Sequence, residues 1–140
     1  MILFFFETKF QMLLKRPIKN WLANVAQQEN MKLGDINIIF MNDEQLLEFN
    51  KQYLNHHTLT DIITFDYGEK DILHGDICIS VERVKENAKK FNCTFDEELR
   101  RVMVHGLLHL CGYKDKKNEE KQTMKIKEEE ALTLFNTQFN

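Results

Sequence analysis

Residues 94 to 115 read TFDEELRRVMVHGLLHLCGYKD, and this stretch predicts the helix around which the rest of the chain is arranged. Thr94, followed three residues later by Glu97, has the form of a capping box, which opens a helix. Residues 102 to 110 are mostly apolar, so this helix should lie in or beside a core. Gly112 can adopt the left-handed conformation that ends a helix. The sequence therefore predicts a central helix that ends near Gly112.

Two histidines lie on one face of this predicted helix. His105 and His109 are four residues apart, so they lie about 40° apart around the helix axis and about 6 Å apart along it, close enough to bind one ion. Because Gly112 lets the chain fold back, Asp115 can approach the same ion from outside the helix. Two nitrogens and one carboxylate oxygen, with a fourth position left for water, are the arrangement expected of a catalytic zinc site.

A pair of histidines at this spacing also occurs by chance on many helices, where it has only a structural role. The apolar surroundings favour a metal, because an unpaired polar group in a core costs about 1–3 kcal/mol and an ion would relieve that cost. Cys111 follows His109 by two residues and therefore lies about 200° around the axis, so it is excluded as a ligand.

The rest of the chain predicts strands and helices that surround this helix. A helix should start near Pro17 and end before Gly34, while Asn42, Ser80 and Asn118 are suitable N-caps for three further helices. β-branched and apolar runs predict strands at residues 36–40, 62–65 and 77–79, and a further edge or core strand at residues 1–6. We predict an α+β fold, a small mixed β-sheet with helices packed on it, in a single domain spanning residues 1–140.

The composition excludes a protein that binds nucleic acid through its overall charge. Lys and Arg number 19 against 22 Asp and Glu, a formal net charge of −3, so any contact with RNA must be local. The three cysteines form no disulfide framework and no C-x-x-C pattern, which indicates a reduced, cytoplasmic protein. The apolar run at residues 1–6 is too short to be a signal peptide or to span a membrane.

Clustered basic residues are the candidates for local contact with RNA. They are Lys85, Lys89, Lys90, Arg100, Arg101, Lys114, Lys116 and Lys117. A solvated helix face is the simpler explanation for all but the last cluster, which lies beside the predicted metal site.

Four segments of the chain resemble, in the right order, those of a known family. They are residues 50–53, NKQY; residues 60–65, TDIITF; residues 75–80, GDICIS; and residues 105–113, HGLLHLCGY. Together they resemble the YbeY family of endoribonucleases, the bacterial ribosomal-RNA maturation factors. The resemblance implies the same α+β fold and a single-strand-specific endoribonuclease that depends on one Zn²⁺ ion. It also implies a role in small-subunit (16S) rRNA maturation and ribosome quality control, with rRNA and the small ribosomal subunit as cytoplasmic partners.

Two segments depart from the family pattern. The family usually has a third histidine where this chain has Asp115, preceded by an aspartate where this chain has Lys114. Aspartate is an acceptable zinc ligand, so the predicted ligands are His105, His109 and Asp115. The family also usually has an arginine where this chain has Leu54. The resemblance implies that this arginine takes part in the activity.

Another cation would then have to bind the substrate phosphate. Lys51 lies three residues before the missing arginine, and His56 and His57 follow in the next predicted loop. Lys114 and Lys116 flank the predicted third ligand. We predict His56, His57, Lys114 and Lys116 as substrate-binding residues and Lys51 as a catalytic one.

A zinc site of this kind can serve more than one reaction. Bound zinc lowers the pKa of water toward about 7, so that hydroxide becomes available to attack an amide or a phosphodiester. Zinc-protease helices have the form H-E-x-x-H, but this chain has Gly106 after its first histidine, which counts against that class. Gly106 suits either close packing or the approach of a large substrate.

Several other residues are candidates for roles beside the ligands. Asp61, Asp76 and Glu98 are candidates for the general base or for hydrogen bonds to a ligating histidine. Thr60, Thr64 and Ser80 are candidate hydroxyl contacts to substrate. Structural, turn or cap roles are the simpler explanation for each, and Asp61 is the one we predict to be catalytic, beside the two ligating histidines.

Two other functions stay open on the sequence. The Leu54 departure is compatible with a ribosome-assembly factor in which zinc is structural and no turnover occurs. A metal-dependent hydrolase of small molecules or peptides would share the histidine pair, but it would lack the glutamate of the zinc-protease helix.

Overall fold

The computed structural model describes residues 1–12 and 14–139. The described residues form, in chain order, β1 (Ile2–Phe6), α1 (Lys15–Gln28), β2 (Lys32–Met41), α2 (Asp43–Leu54), β3 (Ile62–Asp66), β4 (Ile72–Ser80), α3 (Val81–Lys90), α4 (Phe95–Leu110) and α5 (Asn118–Phe139). None of these helices is long and apolar enough to cross a membrane. The predicted α+β fold with a mixed sheet and a central histidine-bearing helix is confirmed.

The strands form one sheet in the order β1-β2-β4-β3. β2 runs parallel to both of its neighbours, and β3 pairs antiparallel with β4 at the edge. The apolar amino terminus is the opposite edge strand. β2 and β4 are both longer than predicted, and Gly34, expected to follow the end of α1, lies inside β2 beside a shift of register.

Helices cover both faces of this sheet. Alternate residues of a strand point to opposite faces, and the larger core lies between one face and α1, α3, α4 and α5. The buried strand residues on that face include Ile36, Ile38, Phe40, Ile77 and Ile79. A smaller cluster lies under α2 on the other face, formed by Met41, Leu46, Ile63 and Cys78. On the larger core's side of the sheet, α4 contacts β3 and β4 as well as α1, α3 and α5.

The N-cap predictions are confirmed with two differences. Asn42 and Ser80 cap α2 and α3 through their side chains. Thr94 accepts a hydrogen bond from the backbone N–H of Glu97, but the glutamate carboxylate accepts from the threonine hydroxyl and not from its backbone. Only half of the predicted capping box therefore forms. Asn118 is the first residue of α5 and not its cap.

Gly106 allows α4 to pack closely on the sheet. A Cβ atom at this position would lie 2.8 Å from Cδ1 of Ile62 and 2.8 Å from Cγ2 of Ile77. These contacts are closer than real Cβ atoms show, so a side chain would push α4 away from β3 and β4. Packing explains this glycine, and its position faces the sheet and not a substrate cleft.

Candidate metal centre

The two histidines lie one turn apart on α4, and Asp115 lies in the segment between α4 and α5. Nε2 of His105 and Nε2 of His109 are 3.0 Å apart, and Oδ2 of Asp115 lies 3.3 Å from each of them. Two ligand atoms at zinc bond lengths in a tetrahedral shell would lie about 3.3 Å apart. The spacing of the three atoms therefore fits a single ion, and the cluster could hold a metal.

The other nitrogen of each ring faces a hydrogen-bond acceptor. Nδ1 of His105 lies 2.5 Å from Oε2 of Glu128, and Nδ1 of His109 lies 2.9 Å from the backbone carbonyl oxygen of Tyr113. Because a carboxylate and a carbonyl only accept, both Nδ1 atoms carry a proton and each neutral ring keeps its lone pair on Nε2. Two ring nitrogens and a carboxylate oxygen then direct lone pairs at one another, an arrangement that a cation stabilises.

Glu128 belongs to a chain of charged residues behind His105. Its Oε1 accepts from Arg101 at 3.3 Å, and the two carboxylate oxygens of Glu98 accept from Arg101 at 2.8 and 2.5 Å. Glu98 and Glu128 are only 1% and 6% exposed, so each needs this partner. Hydrogen bonding to Glu98, together with the charges of both glutamates, holds the pKa of Arg101 above its usual value.

Glu128 contacts the candidate site, and the sequence patterns do not single it out. Asp61, Asp76 and Glu98 are the predicted candidates for a hydrogen bond to a ligating histidine. Glu98 accepts from Arg101 instead, and Glu128 makes the direct contact to His105 from α5. The two contacting residues are 23 positions apart in the sequence. A signal exists in α5, where the buried positions recur at helical spacing: Met124, Glu128, Ala131 and Phe135. An acidic residue on that apolar stripe indicates a buried polar partner.

The segment after α4 places the third ligand. Gly112 has φ +107°, the positive value that turns the chain back after the helix. Tyr113 then donates its hydroxyl to Glu29 at 2.6 Å, and Lys127 Nζ lies 3.5 Å from the same carboxylate. Burial, followed by the hydrogen bond to Glu29, raises the pKa of Tyr113, so the phenol keeps its proton. The turn is therefore anchored to α1 and α5, and Asp115 follows it.

A cleft of about 310 Å³ opens beside the cluster. It is lined by the three candidate ligands together with Leu54 and residues 60–64. Leu54, at the position where the family usually has arginine, is 43% exposed. Both departures from the family pattern, at residues 54 and 115, thus line the same cleft.

Asp61 lies in this cleft beside the candidate ligands. Its Oδ2 accepts from Asn87 at 3.4 Å and lies 4.0 Å from a guanidinium nitrogen of Arg101. Burial raises the pKa of Asp61, and the positive charge of Arg101 opposes this shift. The structure therefore brings together four of the predicted site residues, namely His105, His109, Asp115 and Asp61.

The predicted cations lie outside this cleft. Lys51 pairs with a glutamate one turn earlier on α2, at 3.9 Å. His56 and His57 are exposed in the loop after α2, and Lys114 and Lys116 are exposed on either side of the third ligand. No cationic side chain is among the residues that line the 310 Å³ cleft within the described part of the chain.

The remaining candidates divide between the cleft and other places. Thr60 and Thr64 line the cleft. Asp76 lies on the other side of the sheet, where Asn37 donates to it at 3.0 Å, and Ser80 is fully buried. Cys111 stands outside the cluster, as predicted, and burial raises the pKa of its thiol to about 12.

The chain matches a known protein family over most of its length. The family model described as Endoribonuclease YbeY matches residues 6–136. This chain belongs to the Endoribonuclease YbeY family. The YbeY-family resemblance predicted from four sequence segments is thereby confirmed, over almost the whole chain.

YbeY-family relatives extend across the full length. The Endoribonuclease YbeY of Flavobacterium psychrophilum is 51% identical over 140 residues and covers 100% of both chains. That of Flavobacterium johnsoniae is 48% identical over 138 residues and covers 99% of both. A solution structure from Thermotoga maritima is 31% identical, with a TM-score of 0.69, and covers 98% of this chain and 93% of the other. The YbeY fold is thus shared with a solved structure.

Proposed function

We propose that this YbeY-family protein is a zinc-dependent endoribonuclease that cleaves single-stranded RNA. Its substrate is the precursor of small-subunit (16S) rRNA, and it acts in the cytoplasm, on rRNA and the small ribosomal subunit, in rRNA maturation and ribosome quality control. One domain, residues 1–140, carries the whole activity. The observation that supports the proposal is the convergence of two histidine nitrogens and one aspartate oxygen in a member of an endoribonuclease family.

The ligand set favours zinc among the common divalent ions. His105 and His109 supply borderline nitrogen donors and Asp115 supplies an oxygen, which is a set that zinc binds well. Magnesium and calcium prefer shells made of oxygen alone. With three protein ligands, a fourth position remains open, as in catalytic zinc sites. When bound there, zinc supplies a Lewis acid that acidifies water and polarises a phosphate oxygen.

The protein residues orient this chemistry. Glu128 and the Tyr113 carbonyl hold the rings of His105 and His109 so that Nε2 points to the centre. Asp61 is the proposed proton acceptor, because it lines the same cleft and is not one of the three ligands. Its raised pKa brings the carboxyl closer to the range in which an acid and base can exchange a proton. Lys51 has no part in this proposal because it pairs with Glu48 outside the cleft.

The test is cleavage of a labelled single-stranded rRNA precursor by protein free of contaminating ribonuclease. Activity is measured as purified, after chelation and after zinc is restored. We expect loss and recovery with the metal, and no activity in His109→Ala. His74→Ala is the matched control, since this histidine lies on β4 outside the cluster and should keep the parental rate. Equal cleavage by parent and His109→Ala would show contamination and end the proposal.

A ribosome-assembly factor with a structural zinc ion is the second candidate, and Leu54 favours it. In the cleft, an uncharged side chain occupies the position where the family usually has arginine. In this case Asp115→Ala would associate normally with pre-ribosomal particles, rRNA processing would be unchanged, and the purified parent would cleave no RNA with zinc.

A further inference from the structure

A second groove, separate from the 310 Å³ cleft, also meets the metal centre. It has a volume of about 600 Å³, and we call it the α5 groove. His105 and Asp115 line both spaces. The other lining residues that matter here come from α4, α5 and the end of α3: Phe91, Arg101, Lys121, Lys125, Glu128 and Glu129. A linear polymer bound in this groove would therefore contact the candidate metal ligands directly.

The charges of this groove leave two lysines available. Arg101 pairs with both Glu98 and Glu128 within the buried network already described. Lys121 and Lys125 have exposed side chains, and no described carboxylate forms an ion pair with either. They are four residues apart on α5, so they lie on the same face about 6 Å apart along the axis. Asp115 also lines the groove as a candidate metal ligand, and Glu129 is a further carboxylate that opposes the lysines.

An exposed aromatic ring stands in the same groove. Phe91 follows the last residue of α3 and is 56% exposed. Lys90 Nζ lies 5.8 Å from the centre of its ring, which adds a further cation beside it. Exposed rings next to cations are the combination with which proteins bind single-stranded nucleic acid, because bases stack on the ring while the cations meet the backbone.

We propose that the α5 groove binds the strand of the RNA substrate next to the metal centre, with Lys121 and Lys125 contacting backbone phosphates and Phe91 stacking on a base. This inference rests on the proposed ribonuclease function and names the cations that serve it. Leu54 brings no charge to the 310 Å³ cleft, so the lysines of the α5 groove supply the contacts that the substrate phosphates need. The lining of the groove carries three basic and three acidic side chains besides His105, and Lys121 and Lys125 are the basic ones that form no ion pair among the described residues.

The test measures how tightly a labelled single-stranded oligonucleotide binds to the full zinc-loaded chain at several salt concentrations. The oligonucleotide is a 2′-O-methyl analogue of RNA, and its integrity is checked after the measurement. Each phosphate contact adds about 0.7 to the slope of log affinity against log salt. The double variant Lys121→Ala/Lys125→Ala should therefore lower the slope by about 1.4. If the parent and the double variant bind equally at 1 M salt, this difference in slope makes the variant bind about 25-fold more weakly than the parent at 0.1 M salt.

Two control pairs separate this effect from charge in general. Lys121→Arg/Lys125→Arg keeps both charges and should keep the parental slope. Lys9→Ala/Lys70→Ala removes the same charge from exposed lysines that line neither space, and should also keep the parental slope. A double alanine variant at 121 and 125 that has the parental slope overturns the inference. An equal loss in the Lys9/Lys70 pair also overturns it, since the effect would then be one of total charge.

Single substitutions test the ring and the opposing charge. Phe91→Ala should weaken binding at least about fivefold with an unchanged salt slope, because a ring contributes stacking and no charge. Glu129→Gln should tighten binding at low salt, because it removes the carboxylate that faces the phosphates. A parental affinity for both variants would exclude Phe91 and Glu129 from the bound strand. Binding of the analogue through these lysines, together with no cleavage of the unmodified rRNA precursor in the presence of zinc, would overturn the ribonuclease function and leave the groove assignment intact.

Discussion

Replacing Glu128 with glutamine should weaken zinc binding by about 10- to 100-fold. The carboxylate is 6% exposed, lies 2.5 Å from Nδ1 of His105 and is fixed by Arg101 on its other oxygen. A charged acceptor at this position orients the ring and makes Nε2 a stronger donor to a metal. Loss of such a partner costs about 10- to 100-fold in affinity, which is about 1.4–2.8 kcal/mol of binding free energy.

The assay is competition for zinc between the protein and a chromogenic chelator at neutral pH. The matched control is Glu130→Gln, the same change on the same helix at a residue that is mostly exposed and whose one ion pair among the described residues is with Lys127, at 3.7 Å. This control should bind zinc as the parent does, since exposed ion pairs are worth little. Metal-free Glu128→Gln should also lose about 1–3 kcal/mol of unfolding free energy, because Arg101 loses a buried partner. Parental zinc affinity in Glu128→Gln, alongside a large loss in His105→Ala, would refute the reasoning.

Three further substitutions test the packing, the cleft and the buried acid. Gly106→Ala should lower the unfolding free energy by about 1 kcal/mol in urea titrations and leave zinc affinity unchanged. The reason is that an overpacking cost of about 1–3 kcal/mol exceeds a helix-propensity gain of about 1 kcal/mol. A more stable variant would contradict the contacts with β3 and β4. Leu54→Arg should tighten binding of single-stranded RNA and steepen its salt slope by about 0.7, because one cation is added to the cleft; an unchanged slope would mean that the strand avoids this cleft. Burial raises the pKa of the Asp61 carboxyl, so the native state binds the carboxyl proton more tightly than the unfolded chain does. The free energy of unfolding therefore falls as the pH rises from the usual pKa of 3.8 through the raised pKa of the folded state. Asp61→Asn removes that loss, and the stability of the variant relative to the parent, measured by urea titration across this pH range, should increase with pH; a flat difference would contradict the shift.

Local rules of sequence are sufficient for the helix and for its ligands. The spacing of His105 and His109, the cap at Thr94 and the turn at Gly112 each depend on residues within a few positions of one another. Such features follow from backbone geometry that is the same in every protein. The candidate ligand set therefore follows from the sequence alone, and the three ligand atoms lie within 4.8 Å of one another.

Contacts between distant elements do not follow in the same way. Glu128 reaches His105 only because α5 packs along α4, and no spacing rule joins two residues 23 positions apart. The same packing creates the α5 groove and places Lys121 and Lys125 beside the centre. The substitute cations predicted from the sequence are neighbours of residue 54 and of Asp115, and those side chains lie outside the cleft.

The layout of the site explains how an aspartate can stand where the family usually has a third histidine. The two candidate ligands on α4 are positioned by the helix, by Glu128 and by the backbone carbonyl of Tyr113, and none of these contacts uses the side chain of residue 115. The turn itself is fixed by Gly112 and by the bond from Tyr113 to Glu29. The third ligand can therefore change while the other two stay in place. Two neutral imidazoles and one carboxylate leave a bound zinc ion with one unit of positive charge fewer than three imidazoles would, so it acidifies water less strongly. Aspartate in place of histidine should therefore change the pH dependence of activity more than it changes the affinity for the ion.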